Sequence, residues 1–597
     1  MYSLYTLWST ILLRLSFLFS TILEMNAFRL GRLADILHSR RAAVFFFILC
    51  ITAIFIASVF HESYPDEFDN ILGGRYILEG RMPFSGFFTH HGPVAYFIAA
   101  FIELFSGTSF VRFRFLYGIF LSFLSISTWG YLWWRLREKV SDYPVIMAII
   151  AFATTFVWLQ MILADGLSAF FLLPVYILIF TLWYYKKTLR LVDLVFINAL
   201  SFLSLFSSLT YMYFVIVIYL ATIYVWFQGH RYRFNRKTLL VPLVILACPF
   251  VLLLGYFTAT GSLDDYVAQN IQFNRKYYIY NYPRPEGSDS LNPARFAVVI
   301  AHDYFNNTIG LLNLVKDFNV AYPFATAMGV ANAAIIIVLL LRRRYAMAAF
   351  VLATLIYANA RSNPLTTGER DYQSAVYIVL SIANAVLFFR MVHEALDEAG
   401  NLSKKIIYGF LLILTGFYSV FWAFHIFGNF VNRYYGKYMG TIPLIYDRPV
   451  LAPIINDVTE KDDYVWIGPF EFEELWYMEG RLPSKYHILI PGLGKSKENH
   501  DIMMADFRKN KPKVIIFDKR YFIFGNSPEM YAKFFIDFLD KEYVTLFDYR
   551  RNGLQYVSVA AITERVDIET KLYIDKDKVE EVVDELLQKN YIKLKTP

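Results

Sequence analysis

Charged residues are scarce in this chain of 597 residues, since Asp, Glu, Lys and Arg together make up only 18% of it. Soluble globular proteins carry about 25% charged residues, so this scarcity excludes a disordered chain and an ordinary soluble globule. Cysteine is almost absent, and Cys50 and Cys248 both lie inside apolar runs, which offers no basis for a disulfide framework. Apolar residues are instead abundant, at 57% of the chain, and their long runs predict a polytopic α-helical membrane protein.

The Lys and Arg residues leave a net charge of +7, but they do not indicate nucleic-acid binding. They occur as short clusters between the apolar runs, and such clusters mark the cytoplasmic ends of membrane helices. When every cluster is placed in the cytoplasm, successive spans cross the membrane in opposite directions and no cluster falls on the outer side. This arrangement predicts about 11–13 membrane helices. We therefore expect a multi-pass protein of the cell membrane, whose partner is the lipid bilayer and not a nucleic acid.

The chain divides into three regions by composition. Residues 1–41 form a hydrophobic and basic N-terminal segment that is expected to face the cytoplasm, and residues 42–428 hold the spans. Residues 429–597 have the composition of a soluble domain, in which strand-like apolar runs alternate with helix-like stretches. This alternation predicts a small α/β domain. Because it follows the last span, we expect it on the extracytoplasmic side.

Polar residues of the membrane region concentrate in the predicted outer loops 61–92, 259–321 and 361–373. The apolar stretch 93–106 directly follows the first of these loops and is too short to span, so we predict an interfacial or re-entrant helix there. Segment 4–24 is apolar but interrupted by an arginine. It is predicted to be either an extra span or an interfacial helix.

The first outer loop carries an acidic pair, Asp66 and Glu67, followed by Arg75, His90 and His91. The pair lies close to the preceding span, where partial burial can raise a carboxylate pKa toward the working range of a base. A hydrated outer loop without catalytic function would show a similar polarity. The loop is therefore a candidate active site, with an ordinary surface loop as the alternative.

The order of these features resembles the C-type (GT-C) glycosyltransferase superfamily, in particular protein O-mannosyltransferases and the aminoarabinose transferases that act on lipid A. A first span, an outer Asp-Glu pair and a G-R-x-P-F…H-G-P…Y continuation carry the resemblance, which covers residues 40–390. It implies that Asp66 is the catalytic base and that Glu67 completes the pair. It also implies that Asp165, at the next outer turn, positions the acceptor or a metal.

The resemblance implies a binding site for the donor phosphate, with one departure from the family pattern. Relatives often carry K-P-P-L-x-Y where this chain reads H-G-P-V-A-Y from His91. Because the Lys is missing, His90 or His91 would have to replace it, with Arg75 as a further candidate.

In the fourth outer segment the resemblance implies that Arg370, with Tyr372, holds the donor phosphate. Arginine suits this role because its planar fork matches phosphate oxygens. A structural ion pair of Arg370 with Glu369 or Asp371 is the alternative.

Asp165 is also a candidate site residue on physical grounds, because it lies at the boundary of two apolar runs. A carboxylate there costs several kcal/mol if it faces lipid, so it should face a cavity or cap a helix. If a divalent ion takes part, Asp66, Glu67 and Asp165 would be its ligands, and paired carboxylates suit Mg²⁺ or Mn²⁺. The sequence leaves metal dependence open.

The expected function is transfer of a sugar from a polyprenyl-phosphate donor to an envelope glycan, lipid or protein on the extracytoplasmic face. Direct displacement would invert the anomeric centre, because the sequence places no second carboxylate to form a covalent intermediate. The main alternative is a transporter or flippase for a lipid-linked or anionic solute. Such a protein needs charged residues midway through several spans, whereas the charges here stay at span ends. A non-catalytic envelope scaffold is a third possibility.

Overall fold

The computed structural model describes the following residues: 40–58, 61, 63–230, 236–278, 293–316, 323–360, 372–398, 402–439, 449–559 and 567–595. Segment 4–24, Glu369, Arg370 and Asp371 lie outside them. Within the described residues, a helical membrane region is followed by an α/β domain, as the sequence predicts.

The described helices of the membrane region are numbered in chain order. They are α1 (Arg40–Ala57), α2 (Pro65–Leu78), α3 (Val94–Ser106), α4 (Phe110–Leu136), α5 (Tyr143–Ala153), α6 (Ala164–Tyr184), α7 (Leu191–Ser207), α8 (Met212–His230), α9 (Arg236–Ala259), α10 (Leu263–Tyr266), α11 (Pro293–Lys316), α12 (Pro323–Leu341), α13 (Tyr345–Ala358), α14 (Ala375–Glu398) and α15 (Leu402–Tyr438). A π-helix, Val267–Tyr278, follows α10 directly.

Six helices among the described residues are long and apolar enough to cross a membrane. They are Phe110–Leu136, Ala164–Tyr184, Leu209–His230, Leu240–Ala259, Tyr372–Glu398 and Leu402–Gly436. Six shorter apolar helices accompany them: Phe47–Ala57, Val94–Ser106, Tyr143–Ala153, Leu191–Ser207, Ala327–Leu341 and Tyr345–Ala358. The prediction of a helical membrane protein is thereby confirmed. The last helix continues to Tyr438, beyond the predicted boundary of the membrane region.

Helix α6 forms the centre of the bundle, and all of its residues from Asp165 to Tyr184 are buried inside the protein. Its Tyr176 hydroxyl donates to Oδ1 of Asn384 at 2.6 Å, and Asn384 in turn donates to Asn332 at 2.9 Å. Asn332 also donates to the Ser381 hydroxyl at 2.9 Å. Polar side chains that pair with one another in this way hold membrane helices together.

Helix α2, in the predicted first outer loop, packs against the short helix α3 that follows the loop. Helix α2 begins with Pro65 in its first turn, where proline's fixed φ suits a helix start and its missing N–H costs nothing. Gly73 and Gly74 then allow a close approach to α3. A Cβ atom on Gly74 would lie only 2.6 Å from the backbone nitrogen of Ala100, so this packing requires glycine.

Helix α3 has an apolar outer face, and its exposed large residues are Phe97, Phe101, Leu104 and Phe105. Its opposite face is buried and includes Tyr96 and Glu103. At 13 residues it is too short to cross a bilayer. Such a one-sided helix suits the membrane interface, which is the position that the sequence predicts.

The C-terminal domain contains two small sheets. Its strands are β1 (Val465–Gly468), β2 (Val514–Phe517), β3 (Tyr543–Thr545), β4 (Arg550–Arg551), β5 (Leu554–Ser558), β6 (Leu572–Asp575) and β7 (Ile592–Leu594). The first sheet has the order β1-β2-β6-β3, with β1 and β2 parallel and the other neighbours antiparallel. The second has the order β4-β5-β7.

Short helices surround these sheets. They are α16 (Leu451–Asp457), α17 (Phe472–Tyr477), α18 (Pro491–Lys495), α19 (Lys497–Lys509), α20 (Pro528–Tyr531), α21 (Lys533–Glu542), α22 (Ile568–Lys571) and α23 (Val579–Gln588). Helix α17 docks the domain onto α2 and α3. The Trp476 indole donates to Glu103 at 2.9 Å, and the Arg75 guanidinium donates to the Trp476 carbonyl.

Candidate active site

A cavity lies between the first outer loop and the C-terminal domain. Its volume is about 880 Å³, including the open space at its entrance. Helix α2 contributes Asp66 and Asp69, which lie three residues apart and therefore share a helix face. The other lining residues are Tyr64, Phe88, Thr89, His90, His91, Tyr278, Tyr372, Phe470, Phe472, Ile488, Ile490, Tyr521, Phe522, Ile523 and Phe524.

The two sides of this cavity differ in composition. We call the first the membrane-side wall, formed by Asp66 and Asp69 with Tyr372. We call the second the domain-side wall, formed by Phe470, Phe472 and the loop 518–527 of the C-terminal domain. Both carboxylates of the lining belong to the membrane-side wall, whereas the C-terminal domain contributes aromatic and aliphatic side chains.

Asp66 lies in the first turn of α2, where the helix dipole favours a negative charge. The Tyr372 hydroxyl donates to its Oδ2 atom at 2.6 Å. The Tyr372 ring is itself stacked on Trp158, with centroids 6.0 Å apart and planes 12° apart, and it also packs beside Tyr64. The structure thus brings together Asp66 and Tyr372, two predicted site residues that are separated by 306 positions in the sequence.

Asp69 is held by donors from two parts of the chain. The Tyr96 hydroxyl donates to Oδ2 at 3.0 Å, and Nε2 of His487 lies 3.2 Å from Oδ1. His487 belongs to the C-terminal domain and is 2% exposed. Its ring packs among Tyr76, Phe87 and Phe472.

Glu67 points to a different partner from its neighbour Asp66, because successive side chains on a helix diverge. Both Glu67 carboxylate oxygens accept hydrogen bonds from the Arg114 guanidinium, and both side chains are fully buried. Burial raises the pKa of the Glu67 carboxyl, and the charge of Arg114 opposes this shift. The pair joins α2 to α4, and Glu67 does not line the cavity.

His90 and His91 both line the cavity, with their ring centroids 4.0 Å apart. The His90 ring also lies 4.4 Å from that of Tyr278. The π-helix holds this segment through its amides. Asn270 donates to the His91 carbonyl at 2.7 Å, and Asn274 donates to the His90 carbonyl at 2.8 Å. The two predicted histidines therefore line the same cavity as Asp66 and Asp69.

Asp165 is buried in the first turn of α6 and does not line the cavity. The Tyr211 hydroxyl donates to its Oδ1 atom at 2.7 Å. The N-cap position belongs to Leu163, so the carboxylate lies just inside the helix and not at its cap. Leu163 packs against Tyr372, which places the start of α6 behind the membrane-side wall.

Arg75 lies on another surface. Its Nε donates to Glu79 at 2.9 Å, and it lines a second cleft with Lys461 and Arg481 that is distinct from the cavity of Asp66. Arg370 lies outside the described residues, so its predicted phosphate contact stays a prediction.

The predicted metal ligands are not assembled together. Asp66 faces the cavity, Glu67 faces Arg114 and Asp165 faces Tyr211. Within the part of the chain that the structure describes, we find no group of three His, Cys, Asp or Glu residues suited to a metal ion. A role for Mg²⁺ or Mn²⁺ therefore stays a prediction.

The structure also has an apolar groove of about 1100 Å³. Its lining residues are Pro93, Val94, Phe97, Ile98, Phe101, Phe120, Phe202, Leu203, Phe206, Leu253, Tyr256 and Phe257. His91 lines the cavity, and Pro93 and Val94 line the groove, so one short segment contributes to both linings.

Two site residues had no assigned role from sequence. In the sequence, Asp69 is a third carboxylate about one helical turn after Asp66. That spacing could have identified it as a site residue. His487 carries no such signal, since it lies 418 positions from its partner and is surrounded by no motif.

A comparison of the chain with protein-family models and with curated proteins gives no match. The resemblance based on motif order therefore stays a prediction. The function of the chain accordingly rests on the groups that its fold brings together, and these are concentrated at the cavity.

Proposed function

We propose that the chain is a membrane glycosyltransferase of the GT-C kind. It would move a sugar from a polyprenyl-phosphate donor to an acceptor of the cell envelope. The observation that carries this proposal is that one segment, His91–Val94, contributes to the linings of two spaces with different chemistry. One is the cavity with Asp66 in its wall, and the other is an apolar groove between membrane helices.

A lipid-linked sugar needs both spaces at once. Nucleotide sugars are charged and cytoplasmic, so a site on the outer face needs a donor whose lipid tail carries it across the membrane. The groove is lined by side chains such as Phe97, Phe202 and Leu253, which would accept a polyprenyl tail. The sugar and its phosphate would then lie in the cavity, beside His90 and His91.

Asp66 is the proposed general base. It would take the proton of the acceptor hydroxyl while that oxygen attacks the anomeric carbon. As the new C–O bond forms, the bond from the anomeric carbon to the phosphate oxygen breaks, and its electron pair leaves with the lipid phosphate. The Tyr372 hydroxyl would orient the Asp66 carboxylate through its hydrogen bond to Oδ2.

Inversion at the anomeric centre is the outcome we propose, although the cavity holds a second carboxylate that the sequence had not indicated. Asp69 is engaged on both oxygens, by Tyr96 and by His487. This double engagement suits a carboxylate that binds a hydroxyl better than one that acts as a nucleophile. A retaining enzyme would instead need a free carboxylate close to the anomeric carbon.

The donor phosphate would be neutralised by His90 or His91, which line the cavity, and by Arg370, which stays the predicted arginine ligand. Arg75 faces the second cleft and has no part in the proposed reaction. The proposed topology has the C-terminal domain outside the cell. The six long helices and five of the shorter ones, with α3 counted as interfacial, would give eleven spans.

The test is release of free polyprenyl phosphate from a panel of polyprenyl-phospho-sugars, with envelope extracts as the acceptor source. We expect release with one sugar, and a loss of about 10²–10⁴-fold in Asp66→Asn. Asp264→Asn is the matched control, because Asp264 is an exposed carboxylate of α10 outside the cavity. If folded wild-type protein released no more than Asp66→Asn across the whole panel, the proposal would be wrong.

A flippase for a lipid-linked solute is the second candidate, and the apolar groove is the observation that favours it. Such a protein would move a fluorescent lipid-linked sugar between the leaflets of a vesicle without consuming it. Transport by wild-type protein, unaltered in Asp66→Asn and without release of lipid phosphate, would support the flippase over the transferase.

A further inference from the structure

The loop 518–527 of the domain-side wall ends in a tight hairpin turn. The Ile523 N–H donates to the Asn526 carbonyl at 3.1 Å, and the Asn526 N–H donates back at 2.9 Å. The two central residues have positive φ, 49° at Phe524 and 74° at Gly525, as in a type I′ turn. Glycine, asparagine and aspartate favour this region, whereas a bulky residue at positive φ is strained by about 1 kcal/mol or more.

The aromatic residues of this hairpin face the cavity. Tyr521, Phe522 and Phe524 all belong to its lining, and the Phe522 side chain is 66% exposed. The Phe524 ring lies 6.3 Å from that of Tyr278, across the space between the domain and the π-helix. Phe524 is held by this ring contact, whereas Phe522 leaves an exposed apolar ring at the cavity that a ligand can contact.

Asp69 provides a polar group on the opposite wall. Tyr96 and His487 each occupy one of its oxygens, and this fixes the orientation of the carboxylate. An ionised carboxylate can accept about four hydrogen bonds, so Asp69 keeps the capacity to accept from a ligand hydroxyl. His487 is in this respect a positioning residue, by which the C-terminal domain sets the geometry of α2.

We propose that the domain-side wall is the acceptor subsite and binds a neutral carbohydrate ring, with Phe522 against the apolar face of the ring and Asp69 accepting from one of its hydroxyls. This inference rests on the proposed function. A sugar ring has an apolar face for an aromatic residue and hydroxyl donors for a carboxylate. An anionic acceptor in this subsite would lie against the Asp69 carboxylate, whereas a neutral ring meets no such repulsion.

The test is binding of the full chain in detergent to an array of neutral oligosaccharides, printed beside phosphorylated and uronate-containing counterparts. We expect binding to one or more neutral glycans, weakened roughly tenfold in Phe522→Ala. Asp69→Asn should weaken binding as well, since it turns one acceptor oxygen into a donor. Phe547→Ala is the matched control, because Phe547 is 50% exposed in the same domain and lies outside the cavity lining.

Three results would overturn the inference: no glycan binding by wild-type protein, preference for the anionic glycans, or equal binding by wild type and Phe522→Ala. Because Phe522 is exposed, its loss should not impair folding, and a thermal melt of each variant checks this point.

A parallel transfer assay separates this inference from the proposed function. Glycan binding without any release of lipid phosphate by wild-type protein would refute the transferase and leave the subsite standing. Release of lipid phosphate with an acceptor KM that is the same in Phe522→Ala and wild type would refute the subsite and leave the transferase standing. We expect a raised acceptor KM in Phe522→Ala and an acceptor KM equal to that of wild type in the control Phe547→Ala.

Discussion

The two walls of the cavity are built in contrasting ways. The membrane-side wall presents Asp66 and Asp69 from one helix, α2, which is fixed by the buried Glu67–Arg114 pair and by close packing at Gly74. The domain-side wall presents aromatic rings from a hairpin tip, one of them largely exposed and another at positive φ. Groups on a packed helix hold their positions closely, whereas groups on a loop can vary in sequence without disturbing the fold.

The contrast teaches where change is tolerated. Substitutions behind the membrane-side wall should reduce stability, since buried charges and close backbone contacts have no room to adapt. Substitutions at the tip of the domain-side wall should leave the fold intact and alter what the cavity binds. Four predictions test this difference, from the largest expected effect to the smallest.

The largest effect is expected at the ion pair. Glu67→Gln leaves the Arg114 charge buried without its carboxylate, which should lower the free energy of unfolding by about 3–5 kcal/mol. The double variant Glu67→Leu with Arg114→Met should recover most of that loss. Unfolding of the purified protein in a denaturing detergent measures both. Lost transfer in Glu67→Gln with unchanged stability would instead favour the catalytic role that the acidic pair suggests in the sequence.

The helix contact between α2 and α3 should be the next most sensitive point. Gly74→Ala would bring a Cβ atom against the backbone of α3, and such overpacking costs about 1–3 kcal/mol. Gly130→Ala in α4 is the matched control, because a Cβ atom there would meet no atom within 4 Å. Thermal melts of the two variants give the comparison, and equal melting temperatures would mean that α2 shifts without cost.

A pH effect should arise on the domain side. Burial, with help from the nearby Glu474 charge, raises the pKa of Glu471 to about 7. A carboxyl whose pKa is raised in the folded state stabilises the fold at low pH, and this contribution is lost as pH rises from the unfolded value through about 7. The stability of Glu471→Gln relative to wild type should therefore rise between pH 5 and pH 8, by on the order of 1 kcal/mol.

Melting temperatures of wild type and Glu471→Gln, recorded from pH 5 to pH 8 in the same detergent, measure this difference. A constant difference across the range would show that Glu471 does not titrate between these values.

The smallest change in stability is expected at the hairpin tip. Phe524→Asn removes a half-buried ring but places at positive φ a residue that tolerates it, so the two effects should cancel to within about 1 kcal/mol. A loss of 2 kcal/mol or more in a denaturation curve would mean that the ring serves the fold. Phe524→Gly would confirm the assignment by behaving in the same way.

The fold class could be predicted because apolar runs and basic clusters are local signals that each segment carries by itself. Asp66 could be selected as a candidate site residue for the same reason, because it is a carboxylate that closely follows a predicted span. The sequence could not show that the Glu67 side chain points away from the cavity of Asp66. That orientation depends on residues 65–78 being helical, and two adjacent glycines argue against a helix there.

The domain-side wall could not be predicted from the sequence, for a different reason. Phe522, Phe524 and His487 are aromatic residues in a soluble domain, where such residues usually belong to the core. Their relation to Asp69 is created only when the C-terminal domain docks through Trp476 onto Glu103 of α3. A single sequence contains no record of that contact.

The burial of α6 has a consequence for how this protein is made. Helices of membrane proteins enter the lipid first and associate afterwards, so α6 begins surrounded by lipid and ends surrounded by protein. Its Tyr176 hydroxyl meets Asn384 only after 208 further residues have been synthesised. The ribosome must therefore deliver α14 before the middle of the bundle can close. A chain that stops short of residue 375 would leave inserted helices without the partner that joins them to α6.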